Sequence, residues 1–199
     1  MSVTDGFRRG EKKYELVPDQ QIMVAGTTLY RIRALKDFGN VKAGDLGGFV
    51  RAEDNLSQRG NCWAFDDTQI YDQAVLSDDA QMRGRSRAYG HSRVADKARL
   101  LGNAQVFEYG WVFKNGLVFD NAKVFGHGQV RDHGMAYGDA EIFDNVRVVD
   151  RGQVCGDARI GGRTVVDGDV KGGGVVSHAP QRRPRGRGRG PRSPRGPRP

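Results

Sequence analysis

From Cys62 onward the chain repeats one six-residue pattern: a small residue, any residue, an apolar residue, any residue, then a turn pair. The small series runs Cys62, Thr68, Ala74 and Ala80 through Ala140, Val146, Gly152, Ala158, Thr164 and Val170 without one insertion. Two residues later runs a second series, from Ala64, Ile70, Leu76 and Met82 to Val154, Ile160 and Val166. Every member of the second series is apolar in a chain that is only 37% apolar. The repeat is therefore an architectural unit. A helix cannot carry it, because a helical apolar face recurs at three and four residues. Two apolar positions separated by one residue point the same way on a strand. Each hexad thus predicts a very short strand with two inward residues, followed by a corner. Corners such as "YGD" and "FDN" supply residues that turn readily. Three sides close a triangular coil of eighteen residues, and such coils stack about 4.8 Å apart. The register traces back weakly to Gly44 and Leu46, through Val50 and Ala52, with Gln58 out of pattern.

The ends of a stacked coil are open sheet edges, which invite association. Residues 1–43 predict an N-terminal segment and a β-hairpin cap. "YELV", "QIMV" and "TTLYRIRAL" read as strands, with turns at Pro18-Asp19 and Ala25-Gly26. A plain cap is the simpler reading and a ligand-binding hairpin the alternative. The repeat body covers residues 44–176. Residues 177–199 form an Arg/Gly/Pro-rich tail that cannot bury a core and is expected to be disordered.

Composition and charge change this picture in one place. The net charge is +8, but residues 181–199 carry Arg182, Arg183, Arg185, Arg187, Arg189, Arg192, Arg195 and Arg198 and no acid. The rest of the chain is neutral, so the body does not read as a nucleic-acid binder. The tail could meet nucleic acid or an acidic protein through charge, or serve only to keep the chain soluble. Two cysteines, Cys62 and Cys155, argue against a disulfide framework and fit a reducing cytoplasm. The N-terminal stretch lacks the apolar segment of a secretory signal, and no apolar run is long enough to span a membrane.

Outward strand positions are where a coil can carry function. Taking every eighteenth residue gives one column: Tyr71, Tyr89, Phe107, Phe125 and Phe143. All five are aromatic. A column of rings marks an interaction face or stabilises neighbouring coils by stacking. Its outward neighbours Gln69, Arg87, Gln105, Lys123 and Glu141 make it a stripe with a polar margin. His91, His127 and His133 fall at corner positions where Asn and Asp are usual, and His178 lies near the end of the repeat. His91 and His127 share a corner two coils apart, about 10 Å, too far for one metal ion within a chain. No metal site is expected.

The hexads, with "TLYRIRALKDFGNVKAGDLGGFV" and "NLSQRGNCWAF" before them, resemble the hexapeptide-repeat proteins of the bacterial transferase superfamily. They are similar in particular to a poorly characterised bacterial and phage branch often labelled acetyltransferase. The resemblance implies an all-β, left-handed parallel β-helix of about seven triangular coils, and trimers. It also implies a histidine as general base in members that transfer acetyl groups, for which His127 and His91 are the candidates here. Superfamily members with carbonic anhydrase activity bind zinc through three histidines, two of them off the hexad register, whereas His127 and His133 keep it. Acetyltransferases of this fold typically push out a loop that walls the cofactor cleft, and no insertion interrupts residues 62–170.

These readings favour a non-catalytic β-helical binding or scaffold protein that self-associates through its aromatic face. The alternatives are an acetyl-CoA-dependent acyltransferase with an inter-subunit site, and an end-to-end polymer. No cofactor is expected on the first reading, acetyl-CoA on the second. If the tail binds nucleic acid it does so by charge, so deleting residues 181–199 should abolish binding. The intact chain's affinity should then fall steeply with salt in a filter-binding titration; binding that survives the deletion places the site on the neutral body.

Overall fold

The computed structural model describes residues 12–172 and, for the backbone, 174–178; Ser177 and His178, assigned to the tail, end a strand instead, and residues 179–199 with the tail's arginines lie outside the described residues. The repeat forms a parallel β-helix of about seven coils. Its first face is a ten-stranded sheet, and the other two faces hold seven and six strands among the described residues. Most coil strands are two residues long, such as Gln105–Val106 and Lys123–Val124. They pair parallel with strands eighteen residues away, Gln105 opposite Lys123 and Val106 opposite Val124. Backbone hydrogen bonds continue beyond each strand into the corner: Tyr109 N–H donates to the Gly126 carbonyl at 3.0 Å. Nearly every backbone group of a coil is thereby satisfied by the coil above or below.

The core is narrow. The residues of the apolar series from Ala64 to Ile160 are all buried. The small series is buried from Cys62 to Ala158 and opens at Thr164 and Val170. A side chain at the small position points at the carbonyl of the neighbouring coil. A Cβ on Gly110 would stand 2.5 Å from the Val124 oxygen, and one on Gly128 2.8 Å from the Ile142 oxygen. That distance, rather than loss of apolar area, is why this position stays small.

Each corner begins with a residue in the left-handed region, for example Asp72 at φ 55°, Gly90 at 68° and Asp144 at 53°. Aspartate tolerates this region better than most residues. It also gains a bond there, because the carboxylate accepts an N–H from the corner one coil further on. Asp72 Oδ2 takes Gly90 N–H at 3.1 Å, Glu108 Oε2 takes Gly126 N–H at 2.9 Å and Asp144 Oδ2 takes Gly162 N–H at 2.8 Å. The acidic corners therefore clamp coil to coil.

At the N-terminal end, β1 (Tyr14–Val24) and β2 (Thr27–Ala34) form an antiparallel hairpin that joins the first face through β3 (Leu46–Val50). The turn expected at Pro18-Asp19 does not form. The strand runs through it with a register shift between Val17 and Gln21. Proline has no N–H for the ladder, so an irregularity on this outer strand accommodates it. The early register also differs from the expectation. Val50 pairs with Ile70 and Leu56 with Leu76, twenty residues apart rather than eighteen. Gly48 and Val50 thus occupy the inward positions assigned to Val50 and Ala52, and Leu46 is 47% exposed. Two extra residues between Leu56 and Trp63, where Gln58 sits, make up the difference.

The hairpin plugs the open end of the prism. Tyr14 and Phe38 meet Trp63 edge-on, with centroids 6.1 and 5.4 Å away. The Tyr14 hydroxyl donates toward the Leu56 carbonyl at 2.7 Å. Lys13 is 1% exposed, and its Nζ donates to the Cys62 carbonyl at 3.0 Å and to Cys62 Sγ at 3.2 Å. Burial pushes the Lys13 ammonium down from its ordinary value and the Cys62 thiol up, and each charge partly offsets the other's shift.

Because Gly128 faces backbone, Gly128→Leu should destabilise the coil by about 1–3 kcal/mol or more. Gln129→Leu, one residue away on the outer surface, should cost far less. Urea denaturation of the two variants checks the assigned phase; equal shifts in midpoint would overturn it.

Candidate functional site

The five rings of the outward column each follow directly on one of five neighbouring strands of the first face and stack on one another. Tyr71–Tyr89, Tyr89–Phe107, Phe107–Phe125 and Phe125–Phe143 have centroid separations of 5.1, 5.0, 4.8 and 5.4 Å, with interplanar angles of 2, 3, 4 and 13°. The repeat forces this spacing, since residues eighteen apart sit one coil apart in the same rotamer. Stacking buries much of each ring. Tyr71 is 8% exposed and the other four are half-buried, so the column shows ring edges to solvent rather than ring faces.

Both ends of the ladder are closed. Leu29, Phe49 and Tyr71 form a buried cluster, against which Ile22 and Val24 of the hairpin and Tyr89 pack. At the far end the next position is Gly161, where a Cβ would come within 2.4 Å of the Phe143 ring. A side chain there would have to displace Phe143. Beside the ladder, Glu141 pairs with Lys123 at 3.1 Å and with Arg159 at 2.7 Å.

The candidate histidines lie on corners. His91 and His127 share one column, as their spacing implies, but Tyr109 stands between them. Its ring is 5.0 Å from each, at 17° and 18°. All three side chains are exposed. His127 lines a surface groove with Gln129, Asn145 and Arg147. His133 lines another with Asn115, Leu117, Met135, Arg151 and Gln153. His178 ends the last described strand, Gly174–His178. Among the described residues no three His, Cys, Asp or Glu side chains group as metal ligands, and no helix is long and apolar enough to cross a membrane.

Sequence reasoning missed several contacts. Phe119 stacks on Tyr137 at 4.8 Å, and the Arg83 guanidinium lies 3.7 Å from the centroid of the Phe65 ring. Both pairs are eighteen residues apart, so the periodicity that found the first ladder also contains these. The buried Lys13–Cys62 contact has no such signal, because Lys13 lies outside the repeat.

No family model matches the chain. A stretch of 59 residues, 29% of the chain, is 41% identical to a protein of Escherichia coli (strain K12) named "Uncharacterized acetyltransferase YdcK". The match spans only 18% of that protein's length. The chain is a parallel β-helix built of six-residue repeats. Its coil and this distant match fit the transferase type of that fold.

Since each inner ring of the ladder contacts a ring on both sides, Phe107→Ala should remove two stacks and open a gap between coils. The expected loss is about 1–3 kcal/mol of stability, with Phe107→Tyr close to neutral. Thermal denaturation followed by circular dichroism measures both.

Proposed function

We propose that this protein is a non-catalytic binding or scaffold protein that self-associates through the face bearing the ring ladder. The observation that carries this reading is the ladder itself: five stacked rings along one sheet, rimmed by Arg87, Gln105, Lys123, Glu141 and Arg159. Interfaces that form and dissociate have an apolar centre and a charged rim. Rigid pre-stacked rings also lose little conformational freedom on docking. Removing two central rings should break the contact, because buried aromatic anchors typically contribute about 2 kcal/mol or more each. Phe107→Ala with Phe125→Ala is expected to lower the mass seen by light scattering while circular dichroism still reports the coil. A wild-type chain that is monomeric at high concentration overturns the reading.

A second reading rests on a different observation. His127 and Arg147 line one groove, and the E. coli relative carries the name of an acetyltransferase. In that reading His127 takes the proton from an acyl acceptor, and Arg147 faces a phosphate of acetyl-CoA. The groove is open, so a second chain supplies its other wall. Calorimetric titration with acetyl-CoA separates the two readings. Binding that is lost in His127→Ala supports the transferase; absence of binding to the wild-type oligomer rejects it.

A further inference from the structure

The charges along the ladder face are unevenly distributed by coil. At the level of Tyr89 the face and its two corners carry Arg85 and Arg87, both exposed and neither in an ion pair with another described residue. At the level of Phe143 they carry Asp139, Glu141 and Asp144, with Glu141 already paired to Lys123 and Arg159 of the adjoining coils. At the level of Tyr71 they carry Asp66, Asp72 and Asp67, the last paired to Arg31 of the hairpin, and at the level of Gly161 they carry Arg163 and Arg159, the latter paired to Glu141, against Asp157. The middle levels, Phe107 and Phe125, hold Glu108 alone, and Asp120 with Lys123, whose ammonium pairs with Glu141.

We infer that two copies of this chain pair face to face and antiparallel, about a two-fold axis between Phe107 and Phe125. This rests on the self-association reading above and adds its partner number and direction. The axis carries the Tyr89 level of one copy onto the Phe143 level of the other. Arg85 and Arg87 then meet Asp139, Glu141 and Asp144 of the second copy, twice over. The same operation carries the acidic Tyr71 level onto the basic Gly161 level, and sets Phe107 against Phe125. A parallel, in-register pair of chains meeting through the same face does the opposite. It places arginine beside arginine and aspartate beside aspartate at each charged level. Like charges brought together across an interface cost several kcal/mol. A two-fold interface must be self-complementary, and on this face only the antiparallel direction is.

The test reads direction separately from association. Cys62 and Cys155 are replaced by Ser, and two single-cysteine proteins are made, Arg87→Cys and Glu141→Cys. A bis-maleimide reaching about 10 Å, the spacing of facing sheets, is added to each alone and to the mixture. Cross-linked dimer is expected in the mixture and not in either protein alone. Cross-linking in each protein alone and none in the mixture overturns the antiparallel direction while leaving self-association standing. Light scattering on otherwise native chains gives the second measurement. A dimer mass is expected; a trimer overturns the proposal, and a monomer at every concentration overturns self-association itself. Arg87→Glu should raise the dissociation constant tenfold or more, and adding Glu141→Arg to the same chain should restore it. Arg87→Glu without effect on the dimer also counts against the antiparallel pairing.

Discussion

One constraint governs this molecule: closure of the coil at eighteen residues. Once three hexads make one turn, each residue lies over the residue eighteen before it, and its backbone bonds to that neighbour's strand. Identity of type along a column then becomes identity of contact. The rings stack at the coil spacing, corner carboxylates reach the next corner's N–H, and His91, Tyr109 and His127 form a short ladder of their own. None of these contacts is accessible to an isolated hexad. Each exists because stacking supplies the partner, which is why stability in such a solid is a sum over neighbouring coils.

Closure also limits the core. Three short sides leave room for two inward residues per hexad, one of which points at the carbonyl row of the next coil. A Cβ fits there only where the backbone spacing permits, as at Ala104, Ala122 and Ala140; at Gly110 and Gly128 it does not. The apolar position, by contrast, accepts Ala, Val, Leu, Ile and Met. The sequence freedom of the coil is therefore concentrated on the outside, and specific chemistry can be written there without disturbing the fold.

Much of this was legible because the repeat is strict. The inward series, the corners, the ring column and the shared His91/His127 corner all follow from position modulo eighteen. Three features did not. The first coil carries two extra residues near Gln58, which moved Val50 from one inward position to the other; a count cannot locate an insertion where the pattern has already lapsed. Lys13 reads as a surface charge in sequence, yet it is enclosed by the carbonyls that end the first coil and by Cys62. Its burial depends on the shape of the hairpin, which lies outside the repeat. The rings of the column read as an exposed stripe, whereas mutual stacking and the Leu29–Phe49 cluster hide much of them.

That last difference bears on what the ladder can do. Ring faces satisfied within the chain contribute to its own stability whether or not a partner arrives. Only the outer edges and the flanking side chains remain for recognition. Edges are narrower and carry the positive end of the ring quadrupole, so they suit carboxylates and the faces of further rings better than a broad apolar surface. Selectivity for direction on such a face must come from the charges beside it, because a column of five similar rings reads nearly the same from either end. The rows of opposite sign at the Tyr89 and Phe143 levels are what distinguish the two directions, and they can do so without any change in the coil that carries them.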